Sequence, residues 1–395
     1  MGRGVLARGR AVAAMGCAGL AALLAGCTGA PAATVTVSGR TLAVYASQPP
    51  GGGDQQSSDI LAAEQLALTQ AGGQAGKFKV RLVKLNGREL SDNARSAVED
   101  KTSIAYLGEV VPGTTAESVA ITNEVDLLEV SPTDTAAFLT EPSAVVSGAP
   151  DKFYPSSKNY GETFARVVPT TTQEAKALVQ AIGTLRVSKL YVASDGQPYG
   201  DAVAGSLAQD AGSGLTVVKG PATAAGFKRS RADAMFLGAS STSAAAHLFA
   251  AAAAASPNAK LFAPSALYTD AFISSLPVSV QRNVYVSSPG FLPADLPPAG
   301  RRFVADFKTA YRRDPAPTAI FGYEAMSAVL DVIRVAGPSA NVRGKIVQSF
   351  RGIRNRPSAL GTYSLSGGDT NLAPFVLARI QSGALVPFKF LQIQG

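Results

Sequence analysis

The order of hydrophobic patterns predicts an α/β protein made of two doubly wound, Rossmann-like lobes, and three observations carry that prediction. From Arg40 onward, short β-branched runs alternate with longer stretches of helical spacing. Between about Ala136 and Gly161 the alternation breaks, in an interval holding Pro142, Gly148, Pro150, Pro155 and Gly161. It then resumes and continues almost to the C-terminus. An interval that long without a period reads as an inserted excursion near a lobe boundary. With 395 residues and 46% hydrophobic content, the chain can fill two cores.

The elements follow in order. Thr41 to Tyr45 reads as a strand. Ser57 to Ala71 reads as a helix, with Ile60, Ala63, Ala67 and Leu68 on one face and a stop at Gly72-Gly73. Phe78 to Leu85, Ile104 to Leu107 and Leu127 to Val130 are strands, separated by helices at Ser91 to Asp100 and Thr115 to Asn123. These βα units argue for a parallel sheet covered on both faces. Beyond the excursion, a helix over Thr172 to Leu185 has a threonine N-cap. Strands at Lys189 to Ala193, Leu215 to Val218, Ala234 to Leu237, Lys260 to Ala263 and Val284 to Val286 alternate with helices at Gly200 to Ala211 and Ser241 to Ala255. Two helices follow, at Gly300 to Arg312 and Thr318 to Val335. The segments Tyr363 to Leu365, Phe375 to Ser382 and Phe388 to Gln392 read as a small antiparallel finish.

The N-terminus is a separate signal. Arg3, Arg8 and Arg10 precede an apolar run from Ala11 that ends in Leu24-Ala25-Gly26-Cys27. The run is roughly 15 residues, short of the ~20 that span a bilayer. The pattern resembles a bacterial lipoprotein signal over 1–26, which implies cleavage before Cys27, lipidation of its thiol, and an extracytoplasmic location on a lipid anchor. An ordinary secretory signal with a chance cysteine, or an N-terminal membrane anchor, are the alternatives. Residues 27–39, rich in Ala, Thr, Gly, Ser and Pro, read as the lipidated cysteine and a flexible tether.

Composition excludes several classes. Cys17 lies in the signal and Cys27 at its end, so the domain beyond carries neither disulfide nor free thiol. Loss of Arg3, Arg8 and Arg10 lowers the formal net charge from +8 to +5. The remaining basic residues are scattered, without the basic face and interleaved aromatics of a nucleic-acid binder. A single histidine, His247, and no available cysteine argue against a metal site. No nucleophile elbow, Walker A loop or Ser-x-x-Lys motif stands near a partner, so neither an enzyme nor a cofactor is expected.

Four stretches carry a resemblance. They are Gly108 with Pro112-Gly113-Thr114-Thr115; Val130-Ser131-Pro132-Thr133-Asp134-Thr135; Ser194-Asp195-Gly196-Gln197-Pro198-Tyr199-Gly200; and Ala234-Met235-Phe236-Leu237-Gly238. In order and spacing they resemble the type I periplasmic binding fold, in the branched-chain amino acid binding branch of ABC importers. The resemblance covers Arg40 to Gly395. It implies a clam-shell of two lobes joined by three crossovers, near Arg166 to Pro169, Ser287 to Gly290 and Gly361 to Ser366. Lobe 1 would comprise 40–166 plus 290–363, and lobe 2 would comprise 167–289 plus 364–395. A small-molecule ligand would sit in the cleft, and a membrane permease with its ATPase would be the partner.

Open α/β sheets bind ligands beyond the carboxyl ends of their strands. Thr114 and Thr115 begin a helix there, and their hydroxyls and amides suit a carboxylate or other anion. Ser131, Thr133 and Thr135 stand at the next strand exit. Each could equally be an N-cap or turn former. The resemblance implies that Tyr199 packs on the ligand; covering a helix start is the alternative. Asp195 reads as a turn residue. The chain also departs from the amino-acid binders. Where they carry an acidic residue for the ligand ammonium, it has Pro264-Ser265-Ala266, and Pro112 replaces a pocket serine. Glu109 or Asp134 could supply the charge from lobe 1, or the ligand could lack an ammonium. A sensor or scaffold lipoprotein with a degenerate site is the rival, with Phe138, Phe153, Tyr154 and Tyr160 as either a docking patch or staples for the excursion.

Overall fold

The computed structural model of the chain describes residues 1–2, 34–212 and 214–394. Cys27 and the expected signal lie outside the described residues. In chain order the first strands and helices are β1 (Thr41–Ser47), α1 (Gln55–Gln70), β2 (Gln74–Ala75), β3 (Phe78–Leu85), α2 (Leu90–Glu99), β4 (Ser103–Leu107), α3 (Val119–Asn123) and β5 (Leu128–Ser131). After the excursion and its single turn α4 (Ser157–Tyr160) comes β6 (Phe164–Arg166). The six strands form one sheet in the order β2-β3-β1-β4-β5-β6, parallel apart from β2.

The chain then builds a second sheet. It runs through α5 (Thr171–Thr184), β7 (Lys189–Ser194), α6 (Pro198–Asp210), β8 (Thr216–Lys219), α7 (Ala224–Ser230), β9 (Ala234–Gly238), α8 (Thr242–Ala255), β10 (Lys260–Ala263), α9 (Asp270–Ser275), α10 (Val278–Gln281) and β11 (Val284–Pro289). It returns to the first sheet with α11 (Pro298–Tyr311), α12 (Ala319–Ala336) and α13 (Arg343–Arg351). Two small hairpins, β12 (Arg356–Ser358) with β13 (Gly361–Tyr363) and β14 (Leu365–Ser366) with β15 (Asp369–Thr370), lead to β16 (Leu372–Gln381) and β17 (Ala384–Gln394). This last pair joins the second sheet, whose order is β17-β16-β11-β10-β9-β7-β8. The chain therefore passes between the sheets three times, and the clam-shell α/β architecture holds.

The strands of both sheets are apolar because helices cover both faces. One core packs β1, β4 and β5 against α1 and α12, with Phe303, Phe307, Phe321 and Phe350 buried in it. The second sheet has a core on each side. One of them extends past its own sheet: Phe138, Val146, Phe153 and Tyr154 of the excursion pack into the same cluster as Leu178, Tyr199 and Leu207 of α5 and α6. Of the two readings of these aromatics, Phe138, Phe153 and Tyr154 are staples, each buried, and contribute roughly 1.5–3 kcal/mol apiece.

Arg166, with no exposed surface, ties the first and third passages together. Its Nε donates to Asp369 Oδ1 at 2.7 Å, and its Nη atoms donate to the carbonyls of Asp134 and Ala136 and to Thr140 Oγ1. The Arg166 amide donates to Gly368 O at 2.8 Å.

Several expectations are corrected. The tether is not free along its whole length: Val37 is buried in the first core, its amide donates to Asn341 O at 2.7 Å, and Thr36 bridges Val342. The alternating Val35-Thr36-Val37 is itself a short strand pattern. The helix expected over Thr115 to Asn123 is a 3-10 turn at Thr114–Glu117 followed by α3. The break falls at Ser118, whose hydroxyl donates to the buried Glu129 at 2.6 Å. Phe164–Arg166, read as the start of a crossover, is the edge strand β6. Helices α7, α9 and α13 were not anticipated; Ile346, Val347 and Phe350 give α13 its buried face.

Candidate ligand site between the lobes

The lobe 1 wall of the cleft is the stretch after β4, from Gly108 to Thr115. Asp134, fully buried, organises it. Its Oδ1 accepts from the Gly113 amide at 2.7 Å and the Ala136 amide at 2.9 Å, and its Oδ2 accepts from the Thr115 amide at 2.9 Å. The amides expected to receive a ligand anion thus already hold a carboxylate of the chain. The hydroxyls nearby are similarly engaged. Ser131 Oγ donates to Glu109 O at 2.6 Å, Thr133 Oγ1 to Val110 O at 2.6 Å, and Thr114 Oγ1 to Val111 O at 2.7 Å. Thr115 Oγ1 accepts from the Glu109 amide at 3.2 Å. Thr135 takes the Thr171 amide on its carbonyl at 2.6 Å, while its buried Oγ1 meets no hydrogen-bond partner among the described residues.

Beneath this wall, Glu109 is buried, with Ser47 Oγ and Tyr106 Oη both donating to its carboxyl at 2.5 Å. Burial pushes that carboxyl up to about 7, against the pull of its hydrogen bonds. Glu129, buried beside Ser118 and Thr122, is raised well above the carboxylate range for the same reason.

The lobe 2 wall begins at α6, where Pro198 occupies the first turn. The start of α6 lies tight against β9: a Cβ on Gly238 would be 2.1 Å from the Gly200 carbonyl oxygen, so only glycine fits. That approach places Tyr199, 3% exposed, across the cleft. Gly113, at φ +89°, receives it; a Cβ there would lie 3.1 Å from Tyr199 Cβ. The phenol oxygen is 3.2 Å from Ser265 Oγ and donates to Glu174 Oε2 at 3.4 Å. Glu174 Oε1 also accepts from the Ser265 amide and from Ser287 Oγ, each at 2.6 Å, and its Oε2 accepts from Ser265 Oγ at 3.0 Å. Burial raises the Glu174 carboxyl against these hydrogen bonds. Burial, with Glu174 adding to it, raises the Tyr199 phenol well above its usual value, so it remains a donor.

Between the walls is a cavity of about 430 Å³. Val111 to Thr114 and Glu117 line it from one lobe, Gln197 to Tyr199 and Ser240 from the other, and Phe138, Val146, Lys152 and Phe153 from the excursion. Of the candidate residues, Thr114 and Tyr199 face this cavity, while Thr115, Ser131, Thr133, Thr135 and Ser265 lie behind its walls. Asp195 is the expected turn residue, accepting from the amides of Gln197 and Ser240. Glu174 was missed because an acid in a first helical turn reads as a helix-dipole partner. Among the described residues, no group of three or more His, Cys, Asp or Glu could hold a metal ion.

The periplasmic binding protein sequence pattern matches residues 50–384. The chain belongs to that family. The fold of this periplasmic binding protein is shared with solved structures of low identity. A leucine binding protein from Thermotoga maritima superimposes with a TM-score of 0.73 at 20% identity, over 89% of this chain and 98% of its own. A branched-chain amino acid transporter substrate-binding protein from Streptococcus pneumoniae, solved with isoleucine, gives 0.70 at 14%, over 90% and 100%. An ABC transporter solute-binding protein from Rhodopseudomonas palustris, solved with 3,4-dihydroxybenzoic acid, gives 0.67 at 16%, over 90% and 99%. No curated protein matches the chain by sequence.

Proposed function

We propose that the chain is an extracytoplasmic solute-binding protein of an ABC importer, anchored to the membrane by lipid on Cys27, that captures a small molecule such as an amino acid, amide or related metabolite between its lobes. The observation that carries this reading is the cavity of about 430 Å³ where Pro112 and Gly113 of one lobe meet Pro198 and Tyr199 of the other. A solute held there touches both lobes and the excursion. It therefore adds free energy to the closed arrangement alone and shifts the open–closed equilibrium toward it. The closed form is the one a permease and its ATPase would receive. Among the described residues no helix is long and apolar enough to cross a membrane, so attachment rests on the N-terminus.

A second reading, a ligand-sensing or scaffold lipoprotein of the same fold, draws support from one observation: the polar groups behind the cavity are hydrogen-bonded to one another. A melting screen with an environment-sensitive dye separates the two, the chain having no tryptophan to report closure. A solute at ~100 times its dissociation constant adds about 2.7 kcal/mol. A rise in melting temperature with one chemical class supports capture, and a flat response across amino acids, amides, aromatic acids and sugars supports the scaffold.

A further inference from the structure

The two buried carboxylates of the cleft bear on which solutes it admits, an inference that rests on the capture reading above. We propose that Asp134 and Glu174 set the specificity of the cleft by occupying the hydrogen-bond donors of Gly113, Thr115 and Ser265, so that it rejects free α-amino acids and takes a ring-bearing solute with at most one charge.

An α-amino acid brings a carboxylate and an ammonium, and each costs several kcal/mol to strip of water unless it is paired. On the lobe 1 side, the three amides able to hold a carboxylate are those of Gly113, Thr115 and Ala136, and all three donate to Asp134. A ligand carboxylate brought there meets a like charge and no free donor. On the lobe 2 side, a carboxylate offers about four lone-pair sites. Those of Glu174 are matched by the Ser265 amide, the Ser265 and Ser287 hydroxyls and the Tyr199 phenol. An ammonium arriving there finds no acceptor. Both ends of an amino acid are thus excluded by groups belonging to the protein.

What the cavity does offer is apolar and aromatic. Phe138, Phe153 and Tyr199 contribute rings, with Pro112 and Pro198 between them. Lys152 is the one cation among its lining residues, with Nζ 5.0 Å from the Phe153 ring centroid. A single ring packed against these faces gains about 0.5–1.5 kcal/mol per aromatic pair beyond its buried area. One carboxylate on the ring can reach Lys152 at the rim; a second charge has no partner of opposite sign except Glu117.

The test uses the full chain in detergent, with leucine, isoleucine, valine, benzoate and benzamide as probes, and the variant Asp134→Gly. The wild type should melt higher with benzoate or benzamide and be unmoved by the three amino acids. Asp134→Gly should melt lower by several degrees and recover with sodium acetate, which replaces the missing carboxylate, but not with sodium chloride at equal concentration. A rise of the wild-type melting temperature with leucine, isoleucine or valine overturns the proposal while leaving solute capture intact. Acetate acting equally on both proteins, or on neither, also overturns it. Acetate rescue with no probe moving the wild type leaves the role of Asp134 standing and removes the capture reading instead. The amino-acid arm needs no variant, so a misfolded Asp134→Gly does not protect the proposal.

Discussion

Glu109→Gln should flatten part of the pH dependence of stability. The Glu109 carboxyl stands at about 7 in the folded protein, against 4.5 for an unperturbed glutamate, because burial disfavours its charge more than Ser47 and Tyr106 favour it. Between these values the folded protein keeps a proton that the unfolded chain has released. Stability therefore falls as the pH rises from about 4.5 to about 7 and is level outside that window. At 1.36 kcal/mol per pKa unit, the loss attributable to this one group is roughly 3 kcal/mol. Glutamine has nearly the same shape and never ionises, and the hydroxyls of Ser47 and Tyr106 can turn to meet its amide. Urea denaturation at several pH values between 4 and 8 measures the effect as a difference from wild type. Taking that difference matters because Asp126, pushed up to about 6 by burial, adds to the slope of both proteins. The variant should gain roughly 3 kcal/mol relative to wild type on going from the acid to the alkaline side of the window. A difference that stays constant across the pH range would refute the reasoning.

Four other outcomes are expected. Glu174→Gln replaces one accepting oxygen by an amide that opposes the Ser265 and Tyr199 hydroxyls, and should cost roughly 1–3 kcal/mol in denaturant, checked by the shift in midpoint. Tyr199→Ala empties a buried site and should cost about 3–5 kcal/mol, while weakening any solute bound in the cleft; unchanged affinity by calorimetry removes Tyr199 from the site. Arg166→Met leaves Asp369 and two carbonyls without their buried partner, and should cost about 3–5 kcal/mol, seen as an earlier unfolding transition. Cys27→Ala should give an uncleaved precursor or released protein on fractionation of cells, and membrane retention with normal processing would contradict the lipid anchor.

Much of the fold was legible because each lobe repeats one pattern. Buried parallel strands read as short β-branched runs, and the amphipathic faces of α1, α5 and α12 read as helices. The errors lie where a single buried polar group overrides periodicity. Ser118 bends the chain between the 3-10 turn and α3 to reach Glu129. Val35 to Val37 look like linker by neighbouring composition but pair with Asn341 to Arg343.

The site was harder to read. Strand-exit hydroxyls at Ser131, Thr133 and Thr114 are the right residue types for ligand contacts, but their carbonyl partners lie one strand away in space. Asp134 was visible as a charge without a role, and only its distance to two amides of a remote loop reveals one. Glu174 is 91 residues from Ser265 and 113 from Ser287, a separation no local motif encodes. The same distance explains why Pro264-Ser265-Ala266, read alone, looked like a site that had lost its acid.

The account turns on closure of the lobes around a solute, and small-angle X-ray scattering of the protein with and without a saturating probe that raises its melting temperature tests it most directly. The account predicts a free protein with a larger radius of gyration than the arrangement in which Gly113 meets Tyr199, falling to that value when the probe is bound. A free protein already as compact as the closed arrangement, with a profile indifferent to every probe, would contradict it.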